Sequence, residues 1–440
     1  MSGAIGHDTI VAPATALGRG AIAVVRIDGP DAIAIVGALA GRELESRRAT
    51  HVSLRDEGES IDDAVVIAYR APASYTGNDL VEVSLHGSAF LVGRLLDVVR
   101  RRGARLAEPG EFTERAVLNG KLDLVQAESV VDLIDARASM QARLSLRNLG
   151  GELSRAAEAM RATLLDLVSR FEAALDFAEE GYEFVGRAEA EVLLESLLSE
   201  VRATSATWTR GHAIQAGLTA VILGLPNAGK STLLNFLCGT ERAIVTAIPG
   251  TTRDLLRETV DLGGIPVTFV DTAGLRDTGD AIEEIGIGRA RAAAELADLV
   301  LYLVDARRGM TEDDRSELGR LRDPIVILTK GDLVTGVDDA VSVLVGTGMP
   351  ELLARLDSEV KRRYATAEES PTVVNERQRG AFEASAEALE GALFSLRAGA
   401  SEEFIAADLR RAAMALGALT GAISSDEIYR EIFSRFCIGK

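Results

Sequence analysis

Residues 224–231 carry the most recognisable chemistry of this chain, because they read Gly-Leu-Pro-Asn-Ala-Gly-Lys-Ser. At this spacing Gly224 and Gly229 let the backbone curl so that its N–H groups face phosphate oxygens, and a following helix adds its positive N-terminal end. Lys230 is then placed to reach the β- and γ-phosphates, and Ser231 to offer a hydroxyl to Mg²⁺. A strand pattern precedes this segment and a helical pattern follows it. The segment therefore predicts a P-loop that binds the phosphates of a nucleotide.

Three further segments follow in the order and spacing of a GTPase. Residues 249–254 read Pro-Gly-Thr-Thr-Arg-Asp, which would supply a switch-loop threonine to Mg²⁺ and the γ-phosphate. A strand pattern then ends in Asp271-Thr-Ala-Gly274, which suits an aspartate near Mg²⁺ and a glycine N–H near the γ-phosphate. A last strand leads into Lys330-Gly-Asp332, whose carboxylate would pair with N1 and the amino group of guanine. Together with the P-loop, these segments predict a guanine nucleotide.

Two departures from the usual GTPase pattern change the expected mechanism. Thr329 stands where many such proteins carry Asn, so guanine selection rests more heavily on Asp332. Leu275 follows Gly274, where Ras-type hydrolysis uses a glutamine to orient water. Leucine cannot orient water, so transition-state stabilisation must come from a finger in trans or from a cation beside the phosphates. An arginine finger supplies about 10³ to 10⁵ in rate, and intrinsic turnover without a substitute is expected to be very slow.

Two side chains are candidates for the missing function. Asn227 lies inside the P-loop and is a candidate cation ligand. Glu283 lies just past the second switch segment and is a candidate to orient water or another side chain. A surface carboxylate is the other interpretation of Glu283, and the pattern by itself leaves both open.

The elements around these segments indicate a multidomain α/β protein. Short β-rich units with intervening helices predict an α+β domain over residues 1–119, and helical periodicity covers residues 120–215 and again 373–440. The nucleotide-binding α/β unit spans residues 216–372 and is expected to have a mostly parallel sheet. The simplest interpretation is a central helical domain that a Ras-like P-loop GTPase domain interrupts.

Composition limits the classes of function. The 440-residue chain has 48 Lys and Arg against 67 Asp and Glu, a net charge of −19, so a nucleic-acid partner must meet a local basic patch. No run of 18 or more apolar residues exists, and the N-terminus has no basic start or apolar core, so neither a membrane span nor a signal peptide is expected. Two cysteines, Cys238 and Cys437, cannot form a disulfide framework. We expect a cytoplasmic protein with reduced thiols.

Several charged residues allow more than one interpretation. Arg26 and Glu82 each interrupt an apolar strand, where a charge is paired, faces a ligand or lies on a solvated face. The cluster of Arg100–Arg102 with Arg105 is more typical of a solvated helix end than of a nucleic-acid site. The acidic segment 176–183 is interpreted as a solvated loop, with a metal site left open. Cys437 lies in a C-terminal Cys-x-x-Lys that is a poor prenylation signal, so its thiol could instead be delivered to a neighbouring site.

Six stretches together identify a resemblance. The chain resembles the MnmE (TrmE) family of tRNA modification GTPases over essentially its whole length, and the terminal stretch is the most specific. The matching stretches are residues 18–27, 74–82, 109–116 and 118–124, the GTPase segments, and residues 431–440, Glu-Ile-Phe-Ser-Arg-Phe-Cys-Ile-Gly-Lys.

The resemblance implies a homodimer built by the N-terminal domain, which binds a tetrahydrofolate derivative (5,10-methylene- or 5-formyl-) as one-carbon donor. Arg26, Glu82, Lys121 and Lys440 would line the folate site. With the FAD-containing partner MnmG, such proteins install aminomethyl or carboxymethylaminomethyl groups at C5 of the wobble uridine of certain tRNAs. Cys437 matches the C-terminal cysteine that the family is inferred to use in this chemistry.

For the GTPase domain, the resemblance implies that K⁺ replaces the arginine finger. Asn227 would be one potassium ligand with Thr246, Ile248 and Thr251, while Ser231 and Thr252 would hold Mg²⁺. Lys230, Thr252 and Glu283 would act in catalysis. The implied contacts with GTP or GDP are Asn227, Ala228, Gly229, Lys230, Ser231, Thr232, Thr246, Ala247, Ile248, Pro249, Gly250, Thr251, Thr252, Asp271, Thr272, Ala273, Gly274, Thr329, Lys330 and Asp332.

Two other classes of function compete with this interpretation. One is a regulatory switch, such as a ribosome-assembly GTPase of the Era type, but such a switch would need a basic RNA-binding appendage that the acidic composition disfavours. The other is a binding module whose nucleotide turns over very slowly, which Leu275 keeps open. The segment Val345-Gly-Thr-Gly348, in place of the usual Ser-Ala-Lys-like loop, affects the expected strength of guanine binding.

Overall fold

The computed structural model describes residues 8–16, 18–176, 186–240, 242–244, 257–270, 292–337, 339–364, 371–422 and 426–440. These residues form two compact units. The first comprises residues 1–131, 148–191 and 387–440, and the second comprises residues 132–147 and 192–386. The domain boundaries expected at residues 119, 215 and 372 remain predictions. Among the described helices, none combines the length and apolar character needed to cross a membrane.

The strands are β1 Ile10–Pro13, β2 Ile22–Asp28, β3 Thr50–Asp56, β4 Glu59–Tyr69, β5 Leu80–His86, β6 Arg105–Leu106, β7 Leu218–Gly224, β8 Arg257–Leu262, β9 Ile265–Val270, β10 Leu299–Asp305, β11 Ile325–Thr329 and β12 Ala340–Val341. The helices, apart from short turns, are α1 Ala32–Ala40, α2 Ala89–Arg101, α3 Glu111–Leu118, α4 Leu124–Asp135, α5 Ser139–Leu149, α6 Glu152–Asp176, α7 Arg187–Ala206, α8 Trp208–Ala216, α9 Lys230–Cys238, α10 Glu312–Leu318, α11 Met349–Tyr364, α12 Glu376–Arg397, α13 Glu402–Thr420 and α14 Asp426–Ser434.

The first unit contains a six-stranded sheet in the order β3-β4-β5-β2-β1-β6. Alternation along β2 sends Ala23, Val25 and Ile27 to one face, where they share a core with α1 and α2. The same alternation places Arg26 and Asp28 on the other face, because successive strand side chains point to opposite sides. The predicted α+β character of this region is therefore confirmed, and its polar strand residues share one face of the sheet.

The helical part of the first unit follows the predicted periodicity. Leu153, Ala157, Met160 and Leu164 are all buried along α6, as their four-three spacing predicts. Helix α6 packs against α13. The acidic segment that follows α6 lies outside the described residues.

The second unit contains the other six-stranded sheet, in the order β12-β11-β10-β7-β9-β8. Neighbouring strands from β12 to β9 are parallel, and β8 pairs antiparallel with β9. Every residue of β10 is buried, as expected for a central parallel strand covered on both faces. The predicted mostly parallel sheet is confirmed. The carboxyl ends of β7, β10 and β11 consequently lie along one edge, where ligands of open α/β sheets bind.

Candidate nucleotide and ligand sites

The P-loop connects the end of β7 to the start of α9. Gly224 has φ 143°, and a Cβ there would lie 2.4 Å from the carbonyl oxygen of Leu303, so only glycine allows this approach. Gly229 caps α9 at φ 97°, and Asn227 adopts φ 63°. Successive turns of this kind direct backbone N–H groups into one concavity, which is how such loops bind anions. The backbone of this loop therefore has the shape of an anion-binding turn, and its contacts with phosphate remain a prediction.

The described P-loop side chains lie at the start of α9. The ammonium of Lys230 donates to the carbonyl oxygens of Gly224 at 2.8 Å and Leu225 at 3.2 Å, which holds it across the loop. Ser231 and Thr232 are exposed in the first turn of α9, and Asn227 is exposed within the loop. Hydroxyl, amide and ammonium groups thus converge on the N-terminal end of α9, where the helix dipole favours negative charge.

The burial and hydrogen bonds of Thr329 could not be predicted from its position in the sequence. Its side chain is only 3% exposed, and its hydroxyl donates to the carbonyl oxygen of Ala228 at 2.8 Å, with the carbonyl oxygen of Val304 at 3.2 Å. Thr329 therefore links the end of β11 to the backbone of the P-loop. Its hydroxyl supports the backbone of the loop and is not aimed at solvent.

Lys330 is held by an aspartate that sequence reasoning missed. Its backbone has φ 60°, and its ammonium lies 2.8 Å from Oδ2 of Asp305, the last residue of β10. Arg307 pairs with the same carboxylate at 2.6 Å. The hydrogen bond from Arg307, followed by that from Lys330, holds the pKa of Asp305 far below its usual range. The signal that could have found Asp305 is its position, because it is the one charge that closes an otherwise apolar strand.

The predicted guanine-binding carboxylate lies on the next turn. Asp332 is exposed in the 3₁₀ turn Gly331–Leu333 that follows β11. A Cβ on Gly331 would lie 2.5 Å from the carbonyl oxygen of Ala340, so this turn packs closely on β12. The loop after β12 is closed by a hydrogen bond from the Ser342 N–H to the Thr347 carbonyl at 2.9 Å. The atypical loop near Gly346 thus follows the strand on which the Asp332 turn packs.

The two switch segments lie outside the described residues. The predicted residues concerned are Thr246, Ala247, Ile248, Pro249, Gly250, Thr251, Thr252, Asp271, Thr272, Ala273, Gly274 and Glu283. Within the part of the chain that the structure describes, no group of three or more His, Cys, Asp or Glu side chains is arranged to hold a metal ion. The described members of the predicted metal sites are Asn227 and Ser231, both exposed.

A second site lies in the first unit around Arg26. Arg26 of β2 faces Glu82 of β5 in register, and its Nη2 and Nε donate to Oε1 of Glu82 at 2.7 and 3.2 Å. The guanidinium also lies 5.2 Å from the ring centre of Tyr75 and 5.6 Å from that of Phe112. The interpretation of two separately solvated charges is therefore wrong, because Arg26 is only 13% exposed and pairs with Glu82.

The C-terminus of the chain reaches the same site. Arg26 Nη1 donates to the carbonyl oxygen of Gly439 at 3.4 Å. Gly439 has φ 99°, and a Cβ there would lie 2.0 Å from the carbonyl oxygen of Pro13, so the tail depends on glycine at this point. Burial, with the nearby charge of Arg26, lowers the pKa of the half-buried Lys440. Cys437 is exposed.

Three of the four predicted folate-site residues therefore come together, namely Arg26, Glu82 and Lys440. The fourth, Lys121, is exposed and donates to the carbonyl oxygen of Pro72 at 3.2 Å, in the loop that leads to Tyr75. Neither Tyr75 nor Phe112 was predicted from the sequence as a ring partner of Arg26.

A buried ionic network supports this loop and was missed at the sequence level. Asp28 accepts hydrogen bonds from Thr76, from Asn78 at 3.1 Å and from Arg115 at 3.0 Å. Neither the Asp28 nor the Arg115 side chain is more than 1% exposed. Burial raises the pKa of Asp28, and the three hydrogen bonds oppose that rise. Because Tyr75 precedes Thr76, the network fixes the ring that covers Arg26.

The basic cluster at the end of α2 is satisfied by ion pairs. Arg101 and Arg102 each lie 2.7 Å from the carboxylate of Asp56. Arg105 pairs with Glu111 at 2.5 Å and with Asp8 at 2.6 Å. This arrangement agrees with the interpretation of an ordinary charged helix end.

Comparison with known proteins gives matches over nearly the whole chain. Residues 9–121 match the family described as GTP-binding protein TrmE N-terminus, and residues 124–437 match the MnmE helical domain family. The tRNA modification GTPase MnmE of Moorella thermoacetica is 41% identical over 98% of this chain and 99% of its own. The protein of the same name from Phenylobacterium zucineum is 43% identical over 98% of this chain and 100% of its own. That of Nitrosomonas europaea is 41% identical over 99% of both chains.

Proposed function

Since this chain belongs to the MnmE family of tRNA modification GTPases, we propose that it hydrolyses GTP in the course of modifying tRNA. The proposal rests on the backbone of the P-loop from Gly224 to Ser231, which is supported by the hydrogen bond from Thr329 to the Ala228 carbonyl oxygen. The loop amides and Lys230 would neutralise the phosphates. Asp332 would accept hydrogen bonds from N1 and the amino group of guanine.

Nucleotide specificity tests this assignment. The wild-type protein is expected to hydrolyse GTP and not ATP, and Lys230→Ala is expected to lose most of the activity. Arg320→Ala, which removes an exposed cation of the same unit, is the matched control and should leave the rate unchanged.

The base-recognition step has its own test. Xanthine carries a carbonyl where guanine carries the amino group, so Asp332→Asn is expected to weaken GTP binding and to improve xanthosine triphosphate binding. If Asp332→Asn loses affinity for both nucleotides equally, or for neither, Asp332 does not read the base and the guanine assignment is wrong.

We propose that Mg²⁺ and K⁺ assist at the phosphates. Ser231 would hold Mg²⁺ with Thr252, and Asn227 would hold K⁺ with Thr246, Ile248 and Thr251. The exposed hydroxyl of Ser231 and the exposed amide of Asn227 support the fit, because oxygen ligands suit both cations. Bound there, the cations would supply the positive charge that an arginine finger gives other GTPases. Glu283 would orient the water that Leu275 cannot.

We propose a tetrahydrofolate derivative, 5,10-methylene- or 5-formyl-, for the site around Arg26. Glu82 offers a carboxylate to amino groups of the ring, and the Arg26 guanidinium is held by this carboxylate and two aromatic rings. Lys440 and Lys121 supply positive charge nearby for the carboxylates of such a ligand.

Calorimetric titration with 5-formyltetrahydrofolate tests this site. Glu82→Gln should weaken binding at least tenfold, since a charge-assisted hydrogen bond contributes roughly 1.5–3 kcal/mol. Glu59→Gln, an exposed and similarly ion-paired glutamate of the same sheet, should bind as the wild type does. If Glu82→Gln and Glu59→Gln bind 5-formyltetrahydrofolate with equal affinity, the folate assignment is wrong.

We propose that the first unit forms a homodimer through the face of the sheet that carries Arg26. Ile22 is 65% exposed and Val65 is 38% exposed on this face, and Val24 and Ile67 beside them are partly exposed. Exposed apolar side chains that share one face of a sheet are typical of an interface. A second copy is the occupant we favour, because the apolar face continues directly into the site at Arg26.

Finally, we propose that the chain acts with an FAD-containing MnmG partner to install aminomethyl or carboxymethylaminomethyl groups at C5 of the wobble uridine. Cys437 would take part in this chemistry, and its exposure and its position two residues from the Gly439 contact with Arg26 support that role. Loss of modified uridine on Cys437→Ser, with GTP turnover unchanged, is the expected result. Full modification by Cys437→Ser would exclude this thiol from the reaction.

A further inference from the structure

A cleft in the second unit is formed where three elements meet. The turn between β8 and β9 packs against the start of α5, and the Met140 N–H donates to the Gly264 carbonyl at 2.8 Å. The same turn packs against α11, where the Gly263 N–H donates to Oδ1 of Asp357 at 2.8 Å. The resulting cleft has a volume of about 920 Å³.

The turn that forms one wall of the cleft is closely fitted. Gly263 and Gly264 have φ 64° and 89°, a pair that suits a two-residue hairpin turn. A Cβ on Gly263 would lie 2.8 Å from the Asp357 carbonyl oxygen, and one on Gly264 would lie 2.7 Å from Oγ of Ser139. The elements that carry the lining charges are therefore held in place by backbone contacts.

The lining of the cleft is strongly basic. Among the described residues, five cationic side chains line it and two carboxylates do, in a chain whose net charge is −19. The carboxylates are Asp261 and Asp357, and the cations are Arg137, Arg143, Arg147, Arg242 and Lys361.

Both carboxylates are already engaged within the wall. Asp357 accepts from Nη1 of Arg242 at 2.9 Å through each of its oxygens, and Asp261 accepts from the Gly264 N–H at 2.8 Å. Arg137 and Lys361 are exposed at the cleft, and Arg143 and Arg147 lie one turn apart on α5. The described lining of the cleft thus contains more cations than carboxylates, although the protein as a whole is acidic.

We propose that this cleft binds the phosphate backbone of the tRNA substrate. The inference rests on the proposed function, which makes tRNA a ligand of this chain. Guanidinium groups match phosphate oxygens in a bidentate fork, and four of the five cations are arginines. Among the described residues, no aromatic side chain lines the cleft, so the arrangement fits backbone phosphates and not stacked bases.

A protein ligand fits the cleft less well. Protein interfaces depend on buried aromatic or aliphatic anchors, whereas none of the large exposed hydrophobic side chains of the described residues lines this cleft. Among the described residues, the nonpolar side chains that line it are Met140, Ala243 and Ile244, which are half-buried.

The test compares binding of an unmodified tRNA transcript, with uridine at the wobble position, to the full chain across a salt series. The first variant is Arg137→Gln with Lys361→Gln, and the second is Arg143→Gln alone. The control is Arg320→Gln with Arg322→Gln, two arginines that do not line the cleft. For the first variant we expect affinity to fall about tenfold or more and the slope of log K against log salt to become shallower by roughly 1.4–1.8. The control should change neither.

GTP turnover without tRNA, measured on the same samples, separates the two proposals. If wild type and variants hydrolyse GTP equally and only the cleft variants bind tRNA weakly, the cleft is the phosphate site. If wild type binds tRNA and the cleft variants bind it equally well with an unchanged salt slope, the inference is overturned while the proposed function stands. If wild type hydrolyses GTP but binds no tRNA, the tRNA part of the proposed function fails and the inference fails with it.

Discussion

The hydroxyl of Thr329 donates to the carbonyl oxygen of Ala228 across a distance of 2.8 Å, and this contact joins the strand that precedes Lys330 to the phosphate-binding loop. Thr329 stands where many GTPases carry Asn. Because its hydroxyl reaches the loop from a buried position, Thr329 links the strand before Lys330 to the backbone of the phosphate-binding loop. The expectation that guanine selection depends on Asp332 is compatible with this supporting role of Thr329.

Thr329→Val removes the hydroxyl and keeps the shape of the side chain. The Ala228 carbonyl is then left buried without this donor, which costs about 1–3 kcal/mol. We expect GDP affinity to fall roughly tenfold, as measured with a fluorescent GDP analogue. Thr329→Ser keeps the donor and should retain near wild-type affinity, so equal affinities of Thr329→Val and wild type would show that the hydrogen bond does not support the loop.

Asp305→Asn removes the charge that holds Lys330 and Arg307. We expect nucleotide affinity to fall about tenfold, because Lys330 loses the ion pair that fixes it between β10 and the loop. Asp313→Asn removes an exposed carboxylate of the same unit and should have no effect. An Asp305→Asn protein that binds GDP as tightly as the control would show that Lys330 needs no such anchor.

The two cysteines should differ sharply in reactivity. Burial, with the carboxylate of Glu258, raises the pKa of the Cys238 thiol to about 11, so its thiolate fraction at pH 8 is about one in a thousand. Cys437 is exposed. Iodoacetamide at pH 8 is expected to modify Cys437 first, and peptide mass spectrometry should show Cys238 reacting only as the pH rises towards 11. Fast modification of Cys238 at pH 8 in the folded protein would contradict this assignment.

Substitutions that introduce charge on the sheet face around Arg26 test the proposed dimer. Ile22→Asp with Val65→Asp places two carboxylates where a second copy would pack, and light scattering should then give the mass of a monomer. Phe90→Asp is the control, because Phe90 is 74% exposed on α2, which covers the opposite side of the sheet. If the double variant and the control have the same mass as wild type, this face is not the dimer interface.

The P-loop and helix α6 were predictable because their signals are local. A P-loop depends on glycine spacing within eight residues, and α6 depends on a repeat that its own residues carry. Strand β3 was not predicted from the sequence. A turn at Glu57 and Gly58, which have φ 49° and 87°, joins β3 to β4. Glu-Gly is not the Asn-Gly or Asp-Gly pair that usually marks such a turn.

The site around Arg26 was predictable only in part, because its contacts join distant parts of the chain. Arg26 and Glu82 were notable as charges within apolar strands, but nothing in their spacing pairs them. In the sequence Asp28 resembles an ordinary turn residue, because its partner Arg115 lies 87 positions further along the chain. The resemblance to a family identified Lys440, whereas the close fit of Gly439 against Pro13 follows only from the fold.

The measurement that tests the central claim most directly is GTP turnover in K⁺ against Na⁺ at matched ionic strength, on wild type and on Asn227→Ala. We expect K⁺ to accelerate wild-type turnover on the order of tenfold or more, because a cation must replace the stabilisation that an arginine finger gives. Asn227→Ala should lose the acceleration while still binding GTP. Equal, slow rates of the wild-type protein in both salts would contradict the account and would leave a finger supplied by a partner as the source of catalysis.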